Sequence, residues 1–432
     1  SDSNNSGAMA SSKAEKVYVA PGEHDEYYAF FSGGYSGNLT VYGLPSGRMF
    51  KEIPVFSQFP TSGYGYSEET KPMLNTSFGF VPWGDSHHPD ISQSNGELDG
   101  RWIFINENNT PRIARISLTT FETEEIIEIP NSAGNHASSF VTENTEYIVA
   151  GTRFAVPNPQ RDMPINEMKG QFKGPLSFIS IADNGRMNLE FQLNMPGFNY
   201  DLSHPGRNKS HGWFFFTSYN TEEANTLMEV NASQNDKDYI AAVNWQKVEA
   251  YVKNGGGEKV GGTYAHNVYD EKTHSATSTM KEGVISVNPL DVPGAVFYIP
   301  IPKSPHGCDV DPSGEYIIGS GKLSTDLSVY SFEKMLTAIE NKDFVDDAYG
   351  IPVLSYENTI AGVVKQPGLG PLHTEFDGQG NAYTTFFISS EVVKWKLGTW
   401  EILDRQPTFY SVGHLMIPGG NSRKPFGKYM VA

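Results

Sequence analysis

Apolar residues in this chain come in short runs, each opened by a turn and led by an aromatic. Such runs begin at Trp102, Tyr147, Trp213, Tyr316, Tyr383 and Tyr429. Short runs rich in β-branched and aromatic residues, bounded by turn formers, predict strands rather than helices. Most are followed by a polar loop and a second β-rich run, as at residues 112–117 and 391–395, so the pattern predicts hairpins in series.

The leading aromatics are separated by 45, 66, 103, 67 and 46 residues. Repeats of this size built from hairpins predict an all-β fold, a seven-bladed β-propeller, because each blade has faces it can bury only against its neighbours. The 103-residue interval holds either two units or one unit with an insertion. Residues 239–254 and 331–342 carry apolar positions at helical spacing and are read as short helices inserted at blade edges. The run from Gly427 to Ala432 reads as the first strand of a blade with no partner strand after it. The last blade is therefore expected to be incomplete and the sequence to be the front part of a longer protein. Residues 1–16, small and polar, are read as a disordered linker or tag, and residues 17–432 as one propeller domain.

The composition fits this reading and narrows the chemistry. With 43 Gly, 27 Pro, 22 Tyr and 26 Phe in 432 residues, the chain has the turns and aromatic strands of a β protein. Its 32 Lys and Arg against 50 Asp and Glu give a net charge of −18, which repels nucleic acid and anionic membrane surfaces. No apolar run approaches the roughly 20 residues that span a bilayer, and the first residues lack the apolar centre of an export signal. A single cysteine, Cys308, excludes an internal disulfide or a thiolate-based metal site, and is read as a small packed residue. Any metal must use histidine, carboxylate or carbonyl ligands.

Histidine is the candidate. His88 precedes Trp102 by 14 residues, His136 precedes Tyr147 by 11, His306 precedes Tyr316 by 10, His373 precedes Tyr383 by 10, and His414 precedes Tyr429 by 15. A position recurring just ahead of the first strand of successive blades lies on one face of a propeller near its axis. A lone histidine is ordinarily a surface or hydrogen-bonded core residue. Recurrence in register points instead to a shared centre, and His87 beside His88 adds a further imidazole where Pro89 favours a turn. With no cysteine pair and no Asp or Glu in the same register, these imidazoles favour copper over zinc, nickel or iron and argue against calcium or magnesium there. One tetrahedral ion uses about four ligands, so the set implies several ions and redox chemistry. His24 and His274 are read as surface residues. His204, His211 and His266 flank the gap in the rhythm and are read as ordinary histidines.

The segments Asp85-Ser-His-His-Pro-Asp-Ile-Ser92, Ile129-Pro-Asn-Ser-Ala-Gly-Asn-His136, Pro305-His-Gly-Cys-Asp-Val310, Gly368-Leu-Gly-Pro-Leu-His373 and Ser411-Val-Gly-His-Leu415 resemble the nitrous-oxide reductase family, in its atypical branch. The resemblance runs from about residue 17 to the end. It implies a propeller carrying a sulfide-bridged tetranuclear copper cluster, followed by a cupredoxin domain whose dinuclear copper centre delivers electrons. It implies reduction of nitrous oxide to dinitrogen and water in the periplasm by a homodimer fed by a cytochrome or cupredoxin. Carried over by motif, the cluster ligands are His87, His88, His136, His306, His373 and His414. A seventh ligand, a neighbouring lysine and the cupredoxin domain are expected after the last residue, and the chain alone is expected to be inactive. The resemblance also implies a calcium ion held by the Tyr219 carbonyl, Glu222 and either Asp236 or Asp238, an oxygen-rich set that suits this hard cation. Ser304 stands where many relatives have Asn. The competing readings are a metal-free propeller scaffold for binding proteins or ligands and a calcium-dependent propeller hydrolase. The hydrolase would place carboxylates at the register that histidine occupies.

Overall fold

Neighbouring residues of the apolar runs pack into different cores. Ile103 lies in one buried cluster with Phe30, Leu39 and Val41, whereas Phe104 lies in another with Ile148 and Ile179. Phe215 packs with Val310 and Ile317, while Phe214 packs with Phe178, Phe191 and Phe198. Ile317 and Ile318 divide in the same way. A sheet buried on both faces requires such uninterrupted apolar strands, because successive side chains point to opposite sides.

The computed structural model describes residues 13–167, 170–221 and 238–432. Antiparallel units follow one another in chain order: Tyr27–Ser32, Asn38–Leu44 and Met49–Pro54; then Ser86–Ser94, Glu97–Glu107, Arg112–Ser117 and Thr123–Glu128. Next come Tyr147–Gly151, Phe172–Ile181 and Met187–Pro196; then Phe198–Pro205, Trp213–Thr221, Tyr239–Asn244 and Val296–Pro300. Pro305–Val310, Tyr316–Gly321, Leu327–Ser331 and Ile360–Val364 form a further sheet, as do Pro371–Phe376, Asn381–Phe386, Glu391–Lys396 and Ile402–Pro407. The buried clusters sit between consecutive units, and a fully buried Phe or Ile side chain there contributes about 1.5–3 kcal/mol. The end of the chain returns to its beginning. Tyr27 stacks on Phe426 with ring centroids 6.1 Å apart, and Lys428 Nζ lies 2.8 Å from Glu26 Oε1.

Three sequence expectations are corrected. The aromatics Trp102, Trp213, Tyr316 and Tyr383 lie on the second strand of their sheets, not the first; the first strand lies upstream, and in the sheets of Trp102, Tyr316 and Tyr383 it carries the histidines. Of residues 239–254 only Trp245–Lys253 is helical. Tyr239–Asn244 is a strand, because its small and β-branched residues fit between two ladder partners. The second expected helix is present as Phe332–Glu340. The final run forms no strand, only a bridge between Met416 and Val431. Of the expected linker at residues 1–16, residues 1–12 lie outside those described, and an exposed helical turn spans residues 13–17.

The 103-residue interval is one unit with an insertion. The helix Trp245–Lys253 and a long hairpin, Glu258–Asp270 with Ser275–Val287, separate its third and fourth strands. That hairpin bridges two other units, pairing antiparallel with Thr123–Glu128 and parallel with Met187–Pro196.

Candidate metal centre

A break in the ladder builds the site. In the strand Ser86–Ser94 the register runs from Ser86 opposite Glu107 to Pro89 opposite Ile105, leaving His87 and His88 to face one residue. Pro305 and Cys308 bracket His306 and Gly307 in the same way, and Pro371 and Thr374 bracket Leu372 and His373. Such bulges turn side chains out of regular alternation. Proline beside each one suits the place, because it has no N–H to give a ladder. His136 and His414 sit on irregular segments before and after the sheets.

These elements bring His87, His88, His136, His306, His373 and His414 together. Ring centroids are 4.5 Å apart for His87 and His88, 4.8 Å for His88 and His136, and 5.6 Å for His136 and His306. The circuit continues at 4.7 Å from His306 to His373, 4.9 Å from His373 to His414 and 4.9 Å from His414 to His87. His136 Nε2 lies 3.1 Å from His87 Nε2 and 3.3 Å from His88 Nε2, and His306 Nε2 lies 3.0 Å from His373 Nε2. His88, His136 and His373 are buried, His87 and His306 half-buried, and His414 is exposed at the open side. Phe140 packs beside the imidazoles, its ring 5.9 Å from that of His88.

Asp201 completes the arrangement. His306 Nδ1 lies 2.8 Å from Asp201 Oδ2, and His136 Nδ1 lies 3.1 Å from Asp201 Oδ1 and closer still to the Asp201 carbonyl. Donation from Nδ1 leaves both Nε2 lone pairs facing the other rings. Burial acts to raise the Asp201 carboxyl, but the charges of His306 and Lys322 and the bonds from His136 and His306 hold it well below the usual carboxylate range. Lys322 Nζ lies 3.2 Å from Asp201 Oδ2. Burial drives His88 and His373 well below the ordinary imidazole range and His136 down to about 4, neighbouring imidazoles adding to the effect. These rings are neutral at pH 7, the state in which histidine binds metal.

The donor set fits a metal centre. Nitrogens held about 2.0–2.1 Å from a tetrahedral cation stand roughly 3.3 Å apart, close to the spacings seen here. Two lone pairs in such contact need a proton or a cation between them. The ligand atoms of His87, His88 and His136 all lie within 4.8 Å of one another. Cys308 is buried in the core and its thiol is pushed well above its ordinary range by burial, so thiolate plays no part.

Sequence reasoning missed Asp201 and held that no carboxylate shared the histidine register. Asp201 does share it: Tyr200 pairs with Ser218 and Ser203 with Phe216, so Asp201 and Leu202 occupy the corresponding bulge. It precedes Trp213 by 12 residues, the spacing that singled out the histidines, and only its residue type hid it. The remaining histidines stand apart from the centre. His204 accepts from Arg207 Nη2 at 2.8 Å, and His266 pairs with the buried Glu125. His211 lies between Glu143 and Glu146, at 2.8 and 3.1 Å. His24 and His274 are exposed. Of the expected calcium ligands, Glu222 and Asp236 lie outside the described residues, Tyr219 lies within the strand Trp213–Thr221, and Asp238 Oδ2 accepts from the Ser304 N–H at 2.8 Å.

Fold and site define a class: an all-β protein of successive sheets that bring six imidazoles together in a set suited to a transition metal. Within that class the chain aligns with nitrous-oxide reductases and is a homologue of them. It is 33% identical over 433 residues to the nitrous-oxide reductase of Stutzerimonas stutzeri, covering 97% of this chain and 62% of that protein. It is 33% identical over 393 residues to that of Pseudomonas fluorescens, covering 90% and 56%. The chain thus spans less than two thirds of the length of these relatives. No protein-family profile matches it. Among solved structures, Kuenenia stuttgartiensis hydrazine synthase aligns with a TM-score of 0.51 at 14% identity, over 85% of this chain and 80% of that one, a likeness of fold alone.

Proposed function

We propose that this chain carries the catalytic copper centre of a nitrous-oxide reductase, with His87, His88, His136, His306, His373 and His414 as ligands on a seven-bladed propeller. The observation that carries the reading is the convergence of six imidazoles, drawn from positions 87 to 414, into contacting distance. The reaction is N2O plus two protons and two electrons to N2 and water. Bridged reduced copper ions would supply electron density to a substrate that is a poor ligand and kinetically inert.

The chain's residues prepare that chemistry. Burial keeps His88, His136 and His373 unprotonated, so the cage does not repel a cation. Asp201 selects the tautomer of His136 and His306, and its negative charge offsets part of the metal charge. Phe140 packs an apolar ring beside the imidazoles, and the side at His414 and His87 is where a small uncharged substrate enters. Periplasmic location, a homodimer and an electron donor of cytochrome or cupredoxin type belong to the same proposal. So does calcium at Tyr219, Glu222 and Asp236 or Asp238, which predicts calcium in the purified protein on elemental analysis.

Anaerobic copper loading tests the central claim. The expected result is several copper ions per chain with nitrogen-dominated coordination by X-ray absorption, abolished together by His136→Ala and His306→Ala. A protein that binds no copper under these conditions, or retains it when both histidines are removed, overturns the reading in favour of a metal-free scaffold.

A further inference from the structure

We propose that Asn106, Thr217 and Thr385 are positioning residues, a belt of side chains that holds the backbone bulges in register and thereby aims the imidazoles, with Ser320 in the equivalent slot of a fourth sheet. Each lies on the second strand of its sheet directly opposite a bulge. Asn106 stands between Ile105 and Glu107, the partners that flank His87 and His88. Thr217 faces Asp201 and Leu202, Ser320 faces His306 and Gly307, and Thr385 faces Leu372 and His373. All four are fully buried.

A bulge leaves backbone groups without ladder partners, and burial makes an unpaired N–H costly. The belt supplies those partners. Asn106 Oδ1 accepts from the His88 N–H at 2.6 Å, Thr217 Oγ1 from the Leu202 N–H at 3.1 Å, and Thr385 Oγ1 from the His373 N–H at 3.3 Å. In these three sheets the second residue of the bulge is the one held.

The same side chains also donate to the next ligand-bearing segment along the chain. Asn106 Nδ2 donates to the carbonyl of Asn135, which precedes His136. Thr217 Oγ1 lies 2.8 Å from the His306 carbonyl, and Thr385 Oγ1 lies 2.5 Å from the carbonyl of Gly413, which precedes His414. The Ser320 hydroxyl is fully buried without a partner, beside Gly307. A Cβ on Gly307 would lie 2.6 Å from that hydroxyl and 2.2 Å from the carbonyl of Leu372, which precedes His373. At the stations of Asn106, Thr217 and Thr385 the side chain must accept on one side and donate on the other, which amide and hydroxyl groups satisfy and an aliphatic one does not. Neighbouring sheets are thereby coupled at the depth of the histidines, and the cage has its geometry before any ion arrives.

The purpose of the belt rests on the copper reading above, but its action on the rings is measurable in the metal-free protein. The test compares Thr217→Val and Thr385→Val, which keep volume and remove the hydroxyl, with Thr217→Ser and Thr385→Ser, which keep it. In 15N-histidine-labelled apoprotein, Thr385→Val is expected to move the ring resonances of His373 and His414 and spare His87, while Thr217→Val moves His306. The serine variants are expected to retain the wild-type spectrum, with circular dichroism confirming that all four fold. On copper titration the valine variants are expected to bind at least tenfold more weakly and to show altered electron paramagnetic resonance. Ring resonances unchanged in the folded valine variants, or equally displaced in the serine variants, overturn the belt. Failure of the wild-type protein to take up copper overturns the copper reading instead and leaves the ring resonances as the judgement on the belt.

Discussion

Asp201 shows how one side chain governs a centre built from several sheets. It takes hydrogen bonds from two imidazoles and lies beside the Lys322 ammonium and, at 3.7 Å, Arg153 Nη1. Replacing it with Asn removes the charge and offers one carbonyl to two Nδ1–H donors. We expect Asp201→Asn to lower copper affinity by about 10- to 100-fold, the usual effect of losing a hydrogen-bond partner behind a metal ligand. Competitive titration against a chelator measures this, and unchanged affinity refutes the assigned role. Five of the histidines were legible in the sequence because their distance to a following aromatic repeats, and His87 because it adjoins one of them. Asp201 was not, because a search for one residue type passes over a different residue in the same geometric slot.

At the level of the element, the two-residue bulge at the start of a first strand is the recurring device. Periodicity does not announce it, since the ladder breaks only where a strand meets its neighbour. The same limit explains why the leading aromatics were placed on first strands: hydrophobic runs mark strands but not their order in a sheet. Gly307 tests the device. A Cβ there would meet the Leu372 carbonyl at 2.2 Å and Ser320 Oγ at 2.6 Å, whereas one at Gly261 would meet nothing nearer than 3.7 Å. We expect Gly307→Ala to destabilise the protein by about 1–3 kcal/mol through overpacking, and Gly261→Ala to have little effect. Chemical denaturation of the two variants compares them, and equal stability would contradict the packing described.

Across the whole molecule, distant segments are joined by an ion-pair network. Glu143 takes the guanidinium of Arg423 and the ring of His211, while Arg423 also donates its N–H to the Gly96 carbonyl at 2.8 Å. Bonds from Glu143 and Glu146 outweigh burial and raise His211 to about 9. Burial works against ionisation of Glu143, but His211, Arg423 and the Asn208 N–H bring it down to about 2. The contribution of His211 is full below its unfolded value of about 6.5 and is lost as pH rises through about 9. That of Glu143 is present above about 4.3 and is lost as pH falls through about 2. The melting temperature of His211→Gln should therefore fall furthest below wild type near pH 6, with the gap closing by about pH 10. A gap independent of pH across that range excludes the network as its source. Most of the strands and the converging imidazoles can be read from the chain in order, because periodicity, turn residues and composition are local properties. Only the fold shows which strand comes first in each sheet, that one long interval holds an inserted hairpin, and that a carboxylate stands behind two of the imidazoles. Those facts depend on which segments meet in space, and contacts between residues hundreds of positions apart leave no local trace in the pattern.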